Sequence, residues 1–556
     1  MKLVECVPNF SEGRDKSILD AIAQQIRAVK NVTLLDVDPG ADTNRTVFTM
    51  VGEPEAVVVA AFQAIKKAAE LIDMSKHKGA HARMGATDVC PFIPVSETTM
   101  DECVDLSKKL AKRVGEELAI PVYLYEYSAT KPERQNLADV RAGEYEALPE
   151  KMKKAEWKPD FGPQVFNEKS GATVIGAREF LIAYNINLNT RDTKKATEIA
   201  NIIREKGVLK KDSNGKAIKD QNGNKVFEEG LFKHCKAVGW YIDEYNRAQI
   251  SMNLTNYNIT PAHVVLEKVR ELAIERGVIV TGSELVGLIP KEAIIQAGKY
   301  YLNKLGESAG LPDRRLIETA VQSMGLKELS DFDVDKKIIE YAIQKENRLA
   351  DMTLESFCDE LSTDSPAPGG GSVAALCAAM SASLSAMVAN LTINKKGYET
   401  GWVESKSVSE LAQKIKNDCL HAIDEDTDAF FEMMDATKLP KKTEEEITCR
   451  NTQIELATKK AILIPFKTIE LSMKAVLLAE KIAKCGNKNC LSDAGVGALT
   501  AIAAAKSAYL NVKINLSGLT DETFKKDILE KSTKLKNEIE EIANRVFDEV
   551  DKLVGN

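Results

Sequence analysis

Five histidines occur in the chain, and two fall four apart in His77-Lys78-Gly79-Ala80-His81-Ala82-Arg83-Met84-Gly85. On a helix that spacing could pair two metal ligands. Gly79 and Gly85 make the segment a loop, however, and no carboxylate or thiol lies at ligand spacing, so no metal site is expected. A loop imidazole beside Arg83 suits general acid–base work, because an unperturbed imidazole titrates near neutrality. An ordinary surface loop would carry the same residues. Asp36-Val37-Asp38 ends one strand and Asn44-Arg45 opens the next. Carboxylates and a guanidinium at strand ends can orient a histidine or hold an anion, or simply shape a turn.

Two Gly/Pro-rich stretches lie further on. Phe161-Gly162-Pro163 to Gly171-Ala172-Thr173 reads as a long loop, and Ser283 to Pro290 as another, leading into a helix at Lys291. Such connectors form ligand clefts or are plain connectors. Ser365-Pro366-Ala367-Pro368-Gly369-Gly370-Gly371-Ser372 exposes backbone N–H groups at a helix start, a cradle for an anion or polar ligand. It is no Walker A, because no Lys-Ser/Thr follows, and no strand precedes it as a dinucleotide fingerprint requires. An acidic helical run follows, with Asp424, Glu425, Asp426 and Asp428 before Ala429-Phe430. Asp424 and Asp428 share a face, while Asp426 leans towards Phe430 one turn on. A solvated face explains such a run. A carboxylate on the apolar side would have a raised pKa and could shuttle protons. Cys485 and Cys490 stand five apart, a poor zinc spacing.

The elements that position these residues fall into two regimes. Pro440 and Pro465 are the only prolines after Pro368, and Ala, Leu, Lys and Glu dominate there. Helices are expected over 372–393, 404–436, 443–461, 465–484, 493–511 and 520–553. Before that, strands at 3–7, 32–37, 45–51, 89–95 and 122–127 alternate with helices at 15–29, 54–72 and 99–117. A similar order returns after Arg178, with strands near 180–187, 236–242, 249–254 and 278–281 and helices near 192–206 and 261–276. The fold class is therefore multidomain α/β (α+β) plus all-α: two related α/β subdomains with mixed or antiparallel sheets, then a helical bundle. The expected boundaries are 1–178, 179–325, a charged linker at 326–350, and 351–556. Asn214-Gly215 and Asn222-Gly223 mark a polar hairpin insert at 207–230.

Composition narrows the function classes. The chain has 556 residues, 44% hydrophobic and 28% charged, with a net charge of −8. That argues against a nucleic-acid binder and against a disordered or coiled-coil chain. Ten scattered cysteines without a C-x-x-C pair fit a reduced, cytoplasmic protein with no zinc ribbon. Ser372 to Ile393 is uncharged, but it is built of Ala and Ser and holds Asn390, so a buried helix is expected and no membrane span.

Several strings are specific enough to name a family. Val4-Glu5-Cys6-Val7-Pro8-Asn9-Phe10-Ser11-Glu12-Gly13, Leu35-Asp36-Val37-Asp38, Thr43-Asn44-Arg45-Thr46, His77 to Gly85, Asp88 to Val95, Arg141-Ala142-Gly143-Glu144-Tyr145-Glu146 and Leu285-Val286-Gly287-Leu288 resemble glutamate formiminotransferase. Ala367 to Ala375 and Asn511-Val512-Lys513-Ile514-Asn515-Leu516 are similar to formiminotetrahydrofolate cyclodeaminases. In this order the strings resemble the bifunctional formimidoyltransferase-cyclodeaminase family.

The resemblance implies two steps of histidine breakdown on tetrahydrofolate, a co-substrate that often carries a polyglutamate tail; neither metal nor nucleotide is needed. The formimino group passes from N-formimino-L-glutamate to N5, and the product then cyclises to 5,10-methenyltetrahydrofolate with loss of ammonia. It implies His81 as general acid/base; Asn9, Asp38 and Arg45, at the neighbouring strand ends, are read as its supports. It implies folate contacts along Gly162, Pro163, Phe166, Ser170 and Gly171, and a binding position at Gly287. In the second half it implies Asp426 as the proton-transferring carboxylate, with Gly369, Gly370, Gly371 and Ser372 lining the pocket. A basic set, Lys151, Lys153, Lys154 and Lys158, could hold the tail. A homo-oligomer, dimer or higher, is expected. Two other readings stay open: a cyclohydrolase in the helical half, and a non-catalytic folate-binding scaffold.

Overall fold

Strands β1 (Leu3–Cys6) and β2 (Asn9–Phe10) are two halves of one extended run interrupted at Val7-Pro8. Helix α1 (Lys16–Arg27) follows, started by Asp15, whose side chain accepts the Ser17 N–H. Then come the hairpin β3 (Val32–Gly40) and β4 (Arg45–Gly52), α2 (Pro54–Leu71), β5 (Thr87–Ser96), α3 (Met100–Glu117) and β6 (Val122–Glu126). Short helices α4 (Leu137–Val140) and α5 (Glu144–Lys151) precede β7 (Thr173–Ala177). The computed structural model describes residues 2–40, 44–79, 82–221, 223–242, 245–329, 331–343 and 348–554.

These seven strands form one mixed sheet, in which β5, β7 and β6 run parallel and the other pairs antiparallel. Period-2 alternation sorts its side chains. Val4, Cys6, Phe48, Met50, Phe92, Leu124 and Ile175 pack into one core with the inner faces of α1–α3. The opposite face carries a second core of Met84, Val89, Tyr123, Tyr125, Val140, Leu148, Ala172 and Val174.

The chain then repeats its opening order: β8 (Ile182–Leu188), α6 (Thr193–Ile203), the small pair β9 (Val208–Leu209) and β10 (Phe227–Glu228), the hairpin β11 (Cys235–Ile242) and β12 (Arg247–Leu254), α7 (Ala262–Glu275) and β13 (Val280–Val286). The second sheet is antiparallel, in the order β11-β12-β8-β13. The first sheet has the same order, β3-β4-β1-β5, with each strand at the matching place in the chain. The two α/β subdomains thus share this four-strand order, and β2, β6 and β7 belong to the first alone. The insert 207–230 forms β9–β10 and bridges between Lys211 and Ala217 and between Lys219 and Lys225, a polar ribbon as the Asn-Gly turns imply.

Helices α8 (Lys291–Lys304), α9 (Asp313–Met324), α10 (Val334–Lys337), α11 (Ile339–Ala342) and α12 (Leu354–Leu361) lead to five long ones: α13 (Gly370–Asn390), α14 (Trp402–Thr437), α15 (Glu444–Cys485), α16 (Leu491–Leu516) and α17 (Glu522–Val554). By backbone contacts the chain divides into two units, Met1–Ile294 with Met324–Gln344, and Ile295–Ser323 with Lys345–Asn556. In this division α8 from Ile295 and most of α9 group with the long helices.

Three local expectations need correction. The helices at 443–461 and 465–484 are one, α15, which carries Pro465 inside it and opens with a capping box of Thr443 and Glu446. Asn9–Phe10 falls outside the strands expected from sequence, where Pro8 to Gly13 reads as a loop, yet it is a strand, because its backbone pairs with both β4 and β5. The stretch from Ser283 is β13 as far as Val286, so only Gly287–Pro290 remains a connector.

Among the described residues α13 alone has the length and hydropathy to cross a membrane. Its Ala374, Ala375, Ala378, Ala379, Ala382, Ala386 and Ala389 are buried, and it packs on α14, α15 and α16. Small side chains let the helices approach closely, and Ser381 Oγ donates across to the Gly497 carbonyl of α16 at 2.7 Å.

Candidate active sites

In the first sheet, Asn9 and Asp38 both lie opposite Val47, Asn9 through the β2–β4 pairing and Asp38 through β3–β4. The three form a row on one face, which puts Asn9 and Asp38 two strand spacings, about 10 Å, apart. Arg45 stands two residues from Val47 on that face, and its Nη2 donates to Asn9 Oδ1. Asn9 is held in turn by the Val7 carbonyl at 2.7 Å. Burial lowers the Arg45 pKa to about 10, with Asp88 opposing that shift and Arg141 adding to it. Arg45 therefore stays cationic at neutral pH, in a half-buried place suited to an anionic substrate. Asp38 is exposed.

The segment after α2 is braced from three sides. His77 Nε2 lies 2.8 Å from the Asn44 carbonyl, and Arg83 Nε lies 3.2 Å from His77 Nδ1. Arg83 is 8% exposed and pairs with Glu144 at 2.8 Å and Glu146 at 2.7 Å, which raises its pKa further. Asp88 is fully buried; it accepts the Met84 N–H at 3.0 Å and both Nε and Nη2 of Arg141. Every charged residue of the Arg141-Ala142-Gly143-Glu144-Tyr145-Glu146 string thus serves this segment. His81 lies outside the described residues.

The expected folate stretch divides in two. Ser170-Gly171-Ala172 runs against Met84-Gly85-Ala86, with Ala86 N–H donating to the Ser170 carbonyl at 2.9 Å and Ala172 N–H to the Met84 carbonyl at 3.1 Å. A Cβ on Gly85 would stand 2.4 Å from the Ala172 oxygen, so this approach needs glycine. Phe166 stacks beside Tyr145 at 5.5 Å. Gly162 instead packs on Gly115 of α3 and the Ile120 carbonyl, and Pro163 is exposed. Gly287 is an exposed turn residue with φ +77°. The basic set is not one surface. Lys151 is buried, its Nζ donating to the Val140 and Ala142 carbonyls at 2.6 and 3.0 Å and lying 3.7 Å from the Trp157 ring. Burial lowers its pKa to about 8. Lys153 pairs with Glu150, and only Lys153, Lys154 and Lys158 reach solvent.

In the helical unit the acidic run separates by role. Asp424 accepts the Leu349 N–H at 2.8 Å and pairs with Arg348 at 3.3 Å. Glu425 pairs with Lys467 of α15 at 2.8 Å, and Asp428 is exposed. Asp426 turns towards the start of α13. Ser372 Oγ stands 3.3 Å from Asp426 Oδ2, and Ser372 N–H donates to the same carboxylate. Burial raises the Asp426 pKa, while the two Ser372 hydrogen bonds partly offset it. The glycines make room: a Cβ on Gly371 would fall 2.1 Å from Asp426 Oδ1. Gly369 is the extended residue before the helix, and Asn511 of α16 approaches Gly370 with its Nδ2 3.3 Å from where a Cβ would stand. Asn511 was legible only as part of a family string, since nothing in its spacing marks it. A carboxyl of raised pKa among first-turn N–H groups can hold a proton and pass it to a ligand nitrogen.

Comparisons with known proteins match both halves of the chain. The family described as formiminotransferase domain, N-terminal subdomain, matches residues 3–178; formiminotransferase domain matches 183–344; and formiminotransferase-cyclodeaminase matches 353–534. A formimidoyltransferase-cyclodeaminase of Rattus norvegicus is 43% identical over 528 residues, 94% of each chain. A glutamate formimidoyltransferase of Streptococcus pyogenes serotype M1 is 44% identical over 54% of this chain and 93% of its own. A methenyltetrahydrofolate cyclohydrolase of Methylorubrum extorquens is 38% identical over 36% of this chain and 98% of its own. With both halves matched in one order, along a chain that carries both arrangements, the protein belongs to the formimidoyltransferase-cyclodeaminase family.

Proposed function

We propose that this chain is a bifunctional folate enzyme of histidine degradation. In the first step N5 of tetrahydrofolate attacks the formimino carbon of N-formimino-L-glutamate, and the bond from that carbon to the glutamate nitrogen breaks. His81 takes the N5 proton and returns it to the departing nitrogen, giving 5-formiminotetrahydrofolate and glutamate. Arg45, with Asn9, supplies a fixed positive charge for a substrate carboxylate. In the second step N10 attacks the same carbon and ammonia leaves, forming 5,10-methenyltetrahydrofolate. Asp426 transfers the proton to the leaving nitrogen, or from N10, and the α13 N-terminus holds the ligand beside it.

The observation that carries this reading is the similarity of both halves, in one order, to a relative of the same length. Support for the second step comes from Asp426, whose pKa burial raises at a glycine-lined helix start. A second reading, cyclohydrolase activity in the helical half, is favoured by the similarity to the Methylorubrum enzyme. Supplying 5-formiminotetrahydrofolate and measuring ammonia separates the two: stoichiometric release supports cyclodeamination, and none supports the alternative.

A further inference from the structure

We propose that His77 is a positioning residue for formiminotransfer: a neutral imidazole, protonated on Nε2, that ties together the two ends of the segment 77–83. The proposal rests on the reading above, in which that segment carries the general acid/base.

The tautomer follows from the partners. Nε2 faces the Asn44 carbonyl oxygen at 2.8 Å, an acceptor only, so Nε2 holds a hydrogen. Nδ1 faces Arg83 Nε at 3.2 Å, and a guanidinium is a donor only, so Nδ1 offers its lone pair. One tautomer satisfies both contacts. An imidazolium would set a donor against the Arg83 donor. With both nitrogens occupied, His77 has none left for substrate, so its role is positional.

The charged groups around it are fixed in their turn. Arg83 holds Glu144 and Glu146, and the Tyr145 N–H donates to the Arg83 carbonyl at 2.8 Å. Asn44 receives the Gly13 N–H at 3.0 Å and donates from Nδ2 to the Lys78 carbonyl at 3.0 Å. The chain at Gly13, Asn44, His77–Lys78, Arg83 and 144–146 is therefore joined through the Asn44 amide, the His77 imidazole and the Arg83 guanidinium. Such a frame governs kcat more than binding, because small misplacements of a reacting group cost rate steeply.

The test compares wild type, His77→Ala and His77→Gln in formiminotransfer, with cyclodeamination of supplied 5-formiminotetrahydrofolate measured on the same preparations. Gln offers one acceptor and a donor without titrating. The expected result is a kcat lowered about 10- to 100-fold in His77→Ala with KM changed less than about threefold. Recovery to within about threefold is expected in His77→Gln, with cyclodeamination unchanged in both. In histidine-labelled wild type, nitrogen NMR should show the resonance lost in His77→Gln as an Nε2–H imidazole. Wild-type kcat in His77→Ala, a Gln variant no better than Ala, or an Nδ1–H or charged imidazole at neutral pH would overturn the proposal. A wild type inactive in formiminotransfer would instead sink the functional reading, and the catalytic role with it, while the NMR result would still report the tautomer.

Discussion

At the scale of single residues, Asp426 has two jobs that its geometry allows: accepting the Ser372 N–H in the first turn of α13, as a helix cap does, and holding a proton for a ligand. Substitution separates them. Asp426→Asn keeps an acceptor for Ser372 and should leave the unfolding free energy within about 1 kcal/mol of wild type, yet lower cyclodeamination at least about 100-fold. Gly371→Ala should damage the same step by forcing the carboxylate away, and formiminotransfer should survive both changes. Equal cyclodeamination in Asp426→Asn and wild type would leave the cap as the residue's whole role. The acidic run showed in the sequence, but its division into tethers did not. Helical spacing alone aims Asp426 at Phe430; it is Ser372 and Gly371, 54 and 55 positions earlier, that decide its surroundings.

Glu5 shows how much a buried charge matters at this scale. It is 5% exposed on β1, and burial raises its pKa from 4.5 to about 7, against the pull of Arg178. Between those values the folded chain keeps a proton that the unfolded chain releases. Stability therefore falls as pH rises through that window, by about 3 kcal/mol in all, and stays lower above it. Glu5→Gln should remove that loss, giving a variant more stable than wild type at pH 8 and little different near pH 4.5. Parallel melting curves for the two proteins at both pH values would contradict this.

At the scale of elements, the α4–α5 region does work that its sequence half concealed. A lysine-rich stretch reads as a solvated anion-binding surface, and Lys153, Lys154 and Lys158 are exposed. Lys151 instead closes the α4–α5 turn from inside, bonded to the Val140 and Ala142 carbonyls. Lys151→Ala leaves two carbonyls without their donor and should cost about 2–4 kcal/mol, while Lys153→Ala should stay within about 0.5 kcal/mol. Chemical denaturation of the two variants checks this, and equal midpoints would refute it. Strand and helix positions were mostly legible, because apolar periodicity marks them. What periodicity misses is pairing: Asn9–Phe10 is too short to alternate, and Pro465 reads as a break although α15 continues through it.

For the whole molecule, the sequence order β-α-β-β-α-β, met twice, becomes one four-strand order found in both sheets, β3-β4-β1-β5 and β11-β12-β8-β13. Repetition of that kind survives divergence in side chains, which is why it could be read from the alternation of elements alone. The compact units were less legible, since α8 and α9 look like any amphipathic helices until their partners are known. Two chemistries are proposed for one chain. The most direct test of both follows methenyltetrahydrofolate by absorbance, from N-formimino-L-glutamate and tetrahydrofolate without added metal, in wild type, His81→Ala and Asp426→Ala. Wild type should form it with one ammonia per turnover. His81→Ala should form it only when given 5-formiminotetrahydrofolate, and Asp426→Ala should stop at that intermediate. A wild type that forms none, or an Asp426→Ala chain that forms it at the wild-type rate, would contradict the account.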